Sequence, residues 1–429
     1  MICMKNKRNK ILYQNKVKAK LFKVGSTFLL TKSLAFLSPL LLVKFVSLTE
    51  FGFLEFGFAT GSTISRFSLL GLSTSYPYFI LKKNEVTRES FFYIYPIFLL
   101  FFVILAIVLF LVGIIAKMFF VVFLFTALLS LQMLYSSILQ AKDKSFIAVI
   151  FDGGYYYVLS LYILLSLLFK NVSLNLLYAM MSIYIIGLCM FGSVMYFRKA
   201  KNSFLKNFRE NYKDIIKYGV ITSVGSALVY FLTCCSRIFI AHFLGYESVG
   251  IFSVYFRYMG ITQALFSFLY ITFFKRLYLM DSKSLDKYYS LVFVALIIIC
   301  ICTIPLANII IPLINKEISP INYRVLFLLA IYMPIWAILS YVEGIVYREN
   351  IASKLIRNLF VILCVFTLAL WAFSSILNLD LYCLCFVCIV GLALISLLNE
   401  LKNVNVAFIK TKSLVAFSLI IIIMLYFII

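Results

Sequence analysis

Six basic residues of this sequence lie inside long apolar stretches: Lys32, Lys44, Arg66, Arg237, Arg257 and Arg357. A Lys or Arg at the centre of a membrane-spanning helix costs about 2.5–3.5 kcal/mol, so several of them facing lipid would be hard to tolerate. Lys44 and Arg357 lie within about two turns of an expected helix end, where a long side chain snorkels to the interface. Arg66 sits about 15 residues into its span, and Ser62, Thr63 and Ser73 share its helical face, which suits a wall of water or protein. Arg237 and Arg257 fall on the order of 10–12 Å from one rim of the membrane, where snorkelling and a role in the interior are equal readings. Lys32 shares a helix face with Gly25 and Pro39, and that face reads as a packing seam or as a cavity wall.

Few acids stand against these cations: Glu55 near the outer rim, Asp152 and Glu343 towards the cytosolic side. Even with every acid paired, the charge inside the membrane stays positive. A positive, enclosed path suits an anion, because fixed guanidinium groups replace the water that a phosphate must shed. Arg66, Arg237, Arg257 and Lys32 are therefore the candidate substrate-binding residues. Asp152 and Glu343 are candidates for coupling H+ or Na+, and the other reading of each is an acid paired with a neighbouring Lys or Tyr. Tyr155, Tyr156 and Tyr157 read either as a platform for sugar rings or as interface and packing residues. The lone His242 reads as an interface residue. The ten cysteines read as small packing residues, so neither a metal nor a cofactor is expected.

These residues have to be positioned by membrane helices. The chain has 429 residues, 64% of them hydrophobic and only 13% charged, whereas ordinary soluble domains are about 45–50% apolar and about 25% charged. A soluble fold is excluded. A span needs about 20 apolar residues, and twelve such stretches run roughly over 24–48, 51–81, 91–116, 118–139, 146–169, 174–197, 215–244, 249–274, 291–314, 325–347, 351–377 and 381–398. A thirteenth run, 413–429, either crosses or lies in the interface. The first run is too long for the apolar core of a signal peptide and reads as a retained span. The loops are short, which leaves no room for a soluble catalytic domain.

The basic residues set the expected orientation, since cytoplasmic loops carry the Lys/Arg excess. With the N-terminus inside, 29 of the 39 Lys and Arg fall in inner segments and four in outer loops. The net charge of +23 is thus spread over many short loops. It fits topology and contact with anionic membrane lipids, not nucleic acid.

A basic inner segment, 198–214, divides the spans six and six. The expected organisation is a cytosolic N-terminus (1–23), an N-lobe of helices one to six (24–197), that linker, a C-lobe of helices seven to twelve (215–400) and a tail with an apolar segment (401–429). Because six is even, both halves start on the same face, so any duplication is a parallel repeat about an axis along the membrane normal. A sequence echo accompanies it: Lys44-Phe-Val-Ser-Leu-Thr-Glu-Phe-Gly52 in the first half and His242-Phe-Leu-Gly-Tyr-Glu-Ser-Val-Gly250 in the second, each a short outer turn with an acid followed by Gly.

The stretch from Lys213 to Tyr278 contains Ser236-Arg237-Ile-Phe-Ile-Ala-His-Phe-Leu-Gly245, Ser248-Val-Gly250-Ile-Phe-Ser253-Val-Tyr255 and Phe274-Lys-Arg-Leu-Tyr278. It resembles the seventh and eighth helices of the Wzx-type O-antigen and polysaccharide flippases, members of the multidrug/oligosaccharidyl-lipid/polysaccharide (MOP) exporter superfamily. Pro39, Lys44, Glu50-Phe51-Gly52 and Leu70-Gly71 resemble their first two helices. The resemblance covers residues 21 to about 400. An acid that often precedes the basic residue of helix seven is Ser236 in this chain. The resemblance implies an all-α, MATE-like fold of two six-helix lobes around a central cavity in the bacterial inner membrane. It also implies a non-enzymatic function: export of a glycan carried on undecaprenyl diphosphate, alongside other polysaccharide-assembly proteins. Two competing expectations are a drug exporter of the same superfamily, disfavoured by a basic interior, and a polytopic O-antigen polymerase or glycosyltransferase, disfavoured by short outer loops and the absence of paired carboxylates at a membrane face.

Overall fold

The computed structural model describes residues 25–428 except 83–85, 143, 170–171, 200–203, 261, 264–265, 267–279, 319 and 350. The basic segment 1–23, the side chains of most of the linker and the stretch Phe274 to Tyr278 lie outside the described residues. The described residues are helical, and among them about ten helices are long and apolar enough to cross a membrane, eleven if one bent pair counts as a single span.

In chain order the helices are α1 (Gly25–Leu42), α2 (Leu48–Ser68), α3 (Leu72–Pro77), α4 (Ile94–Leu111), α5 (Lys117–Ala141), α6 (Ser145–Asp152), α7 (Gly154–Leu168), α8 (Leu174–Lys199), α9 (Phe204–Met259), α10 (Ser282–Thr303), α11 (Ala307–Ile314), α12 (Tyr323–Arg348), α13 (Ala352–Ala372), α14 (Leu379–Lys402) and α15 (Ile409–Ile428). Several hydropathic runs are broken where local chemistry demands it. The run 51–81 ends as α2 at Ser68, because Leu70 and Gly71 take left-handed φ values of 47° and 71° before α3 begins. The run 146–169 is two helices, α6 and α7, bent by 57° at Gly153. The run 291–314 breaks between α10 and α11. Residues 249–259 continue α9, which kinks at Gly245 (φ 81°). The thirteenth run is a full helix, α15, long and apolar enough to cross.

Two compact units divide the chain. One comprises Met1–Pro39, Leu72–Val108 and Ala127–Ile215, the other Leu40–Gly71, Leu109–Thr126 and Ile216–Ile429. Residues 40–71 and 109–126 thus group with the second half of the sequence, a different partition from the six-and-six division.

In the first unit α7 packs on α6 and α8. The bend between α6 and α7 is supported by Gln132, whose side-chain carbonyl accepts from Gly154 N (3.2 Å) and Tyr155 N (2.8 Å) with the amide turned to satisfy both groups. Those amides would otherwise be orphan donors at a helix start. A buried polar cluster joins Tyr76, whose hydroxyl donates to Glu89 Oε1 (2.8 Å), to Lys142, which forms an ion pair with the same carboxylate.

In the second unit α12 packs on α14 and α10, and α14 in turn on α13 and α15. Buried Asp286 of α10 holds the start of α15 by accepting from Lys410 N (2.9 Å), Thr411 N (2.9 Å) and Thr411 Oγ1 (2.9 Å). At the start of α10, exposed Asp281 accepts from Ser284 N (3.0 Å). Hydrogen bonds from Ser284 hold its carboxyl below the usual carboxylate range.

The remaining frame of this unit is a seam between α2 and α9. Ser47 and Glu50 form a capping box that starts α2, so the acid of the first echoed turn satisfies a helix end. From there α2 runs antiparallel to the first part of α9: Glu55 lies against Arg237, Arg66 against Ser226, and Gly71 against Gly219. At the top of the seam the two echoed glycines meet. A Cβ on Gly52 would stand 1.8 Å from Tyr246 O, and a Cβ on Gly250 would stand 2.3 Å from Leu48 O. Each glycine therefore faces the carbonyl four residues before the other, a reciprocal crossing in which the two echoed turns are one contact.

Gly52→Ala and Gly250→Ala should each lower the thermal stability of the purified protein by about 1–3 kcal/mol, the range of overpacking. Gly187→Ala is the control, since a Cβ there meets nothing within 4 Å. It should be neutral or stabilise by up to about 1 kcal/mol. Equal effects at all three sites would remove the crossing from the fold. Asp286→Ala should cost about 1–3 kcal/mol by leaving buried donors unmet and should expose α15 to limited proteolysis ahead of the rest of the chain.

Candidate functional site

The α2–α9 seam brings three of the sequence-predicted cations into one unit. Glu55 sits one α2 turn below Gly52 and is 3% exposed. Its Oε1 accepts from Arg257 Nε (3.0 Å) and Nη2 (2.5 Å). Its Oε2 lies 3.1 Å from Arg237 Nε yet receives no hydrogen bond, because that single N–H is directed at Ser253 Oγ (3.1 Å). The Phe256 ring backs the Arg237 guanidinium at 4.5 Å, a cation–π contact. Arg237 is 4% exposed. Among the described residues its two terminal amino groups donate to nothing.

The geometry follows from the echo. Glu55 stands three residues after Gly52 and Ser253 three after Gly250, so the reciprocal crossing delivers both side chains to the same guanidinium. One half of the echo supplies a carboxylate where the other supplies a hydroxyl. One carboxylate thus serves two guanidiniums, and its own burial makes each of these contacts matter.

Arg66 lies farther along the same seam, in the last turn of α2. Its Nη1 donates to Ser226 Oγ (2.7 Å), and its guanidinium stacks on Tyr230 at 4.1 Å. Its Nε is buried without a hydrogen-bond partner, and no carboxylate pairs with it among the described residues. Ser223 Oγ bonds to the Arg66 carbonyl (2.6 Å) and fixes the helix end. Tyr230 and Arg237 are seven residues apart on α9, about two turns or 10 Å, so Arg66 of α2 stacks on the same face of α9 that carries Arg237.

No family model, curated protein or solved structure matches the chain.

The other candidates lie elsewhere. Lys32 and Asp152, one expected to bind substrate and the other to couple an ion, form an ion pair at 3.6 Å with side chains 36% and 53% exposed. They belong to the first unit, at the α6–α7 break. Beside them Thr31 and Tyr157 share a hydrogen bond of 2.8 Å, which gives one of the three consecutive tyrosines a packing partner. Glu343 is half-buried in α12. Lys44 is exposed in the turn between α1 and α2, and exposed Arg357 lies 3.7 Å from Glu400. His242 is exposed and lines an apolar groove of about 670 Å³ with Phe239, Tyr246 and Trp371.

Sequence reasoning named the arginines but placed Glu55 only near a rim. The missed signal was its register: three residues beyond the first echoed glycine, as Ser253 is beyond the second. Ser226 and Tyr230 were missed as partners of Arg66.

Removing Glu55 takes the carboxylate from two guanidiniums at once, whereas removing either arginine leaves the carboxylate paired with the other. Glu55→Gln should therefore destabilise the protein by about 3–5 kcal/mol, and Arg237→Gln or Arg257→Gln by less. The Glu55→Gln/Arg257→Gln double variant should be milder than the sum of its parts by about 0.5–3 kcal/mol. Thermal denaturation of the four proteins checks this, and strict additivity would show the contact to be energetically idle.

Proposed function

We propose that this chain is a flippase that carries an oligosaccharide linked to undecaprenyl diphosphate from the cytoplasmic to the periplasmic leaflet of the bacterial inner membrane. The observation that carries the reading is the α2–α9 seam, where Arg237 and Arg257 share the carboxylate of Glu55 and Arg66 lies farther along against Ser226. Guanidinium forks match phosphate oxygens in geometry and charge. The sequence resemblance to the Wzx-type flippases points the same way.

In this reading the membrane helices form twelve spans in two six-helix lobes around a central cavity, with the N-terminus cytoplasmic, and the lobes rock to give alternating access. Membrane potential supplies a driving force: one charge moved through 100 mV is worth about 2.3 kcal/mol, so two negative charges leaving a negative interior gain roughly 4.6 kcal/mol. Coupling to H+ or Na+ would act through Asp152 or Glu343. For Asp152 that means competition with Lys32 at the bend, a position where broken helices of membrane transporters hold ions. No covalent chemistry is asked of the chain, and its partners are the lipid-linked glycan, the surrounding lipids and the proteins that assemble the polysaccharide.

In cells that depend on this chain, Arg66→Ala, Arg237→Ala and Arg257→Ala should each reduce surface glycan severalfold while immunoblots show unchanged protein. Normal glycan in all three would end the role of the cations. Accumulation of a cationic dye should be equal with and without the chain, and active dye extrusion would move the reading to a drug exporter.

A further inference from the structure

The contact between Glu55 and the two arginines is incomplete on both sides. Glu55 Oε2 is buried with no hydrogen bond, although Arg237 Nε is 3.1 Å away. The terminal amino groups of Arg237 are unused among the described residues, even though the residue is 96% buried by its 4% exposure. A buried acceptor left unmet is costly, and Glu55 supplies one carboxylate to two guanidiniums. A carboxylate offers two oxygens, and here both are fixed by the α2 backbone at a reach that serves Arg257 fully and Arg237 poorly. An anion with more oxygens and more charge, free to move between the two guanidiniums, would satisfy both.

From this geometry we propose that Glu55 is a resident anion which the diphosphate of an incoming lipid carrier displaces from Arg237 and Arg257. The exchange rests on the flippase reading and adds to it a role for the acid. Before substrate arrives, Glu55 fastens α2 to α9 and keeps the arginines ordered against Ser253 and Phe256. On arrival, the diphosphate oxygens take the Arg257 fork and the unused Arg237 amino groups. Glu55 is released, and the fastening at the top of the α2–α9 seam opens. No bond is made or broken covalently: one anion replaces another, and the diphosphate brings more negative charge to the two guanidiniums than the carboxylate it displaces. Substrate binding and loosening of the seam are then a single event.

The experiment is equilibrium binding to the full-length protein in nanodiscs, with undecaprenyl diphosphate, undecaprenol and inorganic pyrophosphate as probes. Wild type should bind undecaprenyl diphosphate and ignore undecaprenol. Inorganic pyrophosphate should bind at least tenfold more weakly than the lipid, while equal affinity would support the exchange with a free diphosphate as occupant. Glu55→Gln, which removes the competing charge, should bind undecaprenyl diphosphate about tenfold more tightly than wild type and gain more thermal stability from it. Glu55→Asp, which keeps the charge but shortens the reach, should tighten binding by a smaller factor, and it carries the test if Glu55→Gln is not recovered folded by size exclusion. Arg237→Gln and Arg257→Gln should each weaken binding at least tenfold. If both Glu55 variants bind as wild type does or more weakly while the arginine variants still lose affinity, the exchange is overturned and the flippase reading stands. Binding that none of the arginine variants alters, or no binding to wild type, overturns both.

Discussion

A carboxylate shared between two guanidiniums is the constraint around which the second unit is arranged. Charges of this kind cannot be left in hydrocarbon, and their mutual attraction repays desolvation only when the geometry is good. Glu55 reaches Arg237 and Arg257 because α2 and α9 approach at backbone distance, and they approach because Gly52 and Gly250 lack side chains at the crossing. The left-handed turn at Leu70–Gly71 closes the other end of the same seam against Gly219. Polar function and backbone packing are thus one problem with one solution.

The first unit solves a different problem. Its break at Gly153 would expose helix-end amides inside a bundle, and Gln132 supplies the missing acceptor. The nearby Lys32–Asp152 pair is half open to its surroundings, unlike the enclosed cluster of Glu55. That contrast separates the two charged sites chemically: one pair is open to its surroundings, whereas the other is enclosed by the two helices that carry it.

Much of this was legible in the sequence. Long apolar runs gave helices, the intramembrane arginines stood out by cost alone, and the echo around Gly52 and Gly250 marked a real contact. What hydropathy could not reveal was phase and interruption. It reads a run such as 51–81 or 146–169 as one span because the breaking residues, Leu70 and Gly153, are themselves apolar or small. Nor does it carry information on which helix faces which across 202 residues, the separation of Glu55 and Arg257. Pairing was therefore invisible except through the repeated register, in which Glu55 and Ser253 occupy equivalent places. A broken run and a kinked pair likewise satisfy the composition of a span without being one straight helix.

The Phe256 ring that backs Arg237 has another neighbour. Its centroid is 5.6 Å from that of Trp336, and Trp336 also stacks on Tyr332 at 6.0 Å. The chain has only two tryptophans, and the other, Trp371, is 73% exposed on an apolar face. A single indole thus stands one aromatic ring away from the guanidinium, in surroundings polarised by whatever neutralises it. With Trp371 replaced, the emission of the remaining indole would follow the charge state around Arg237 with no dye attached.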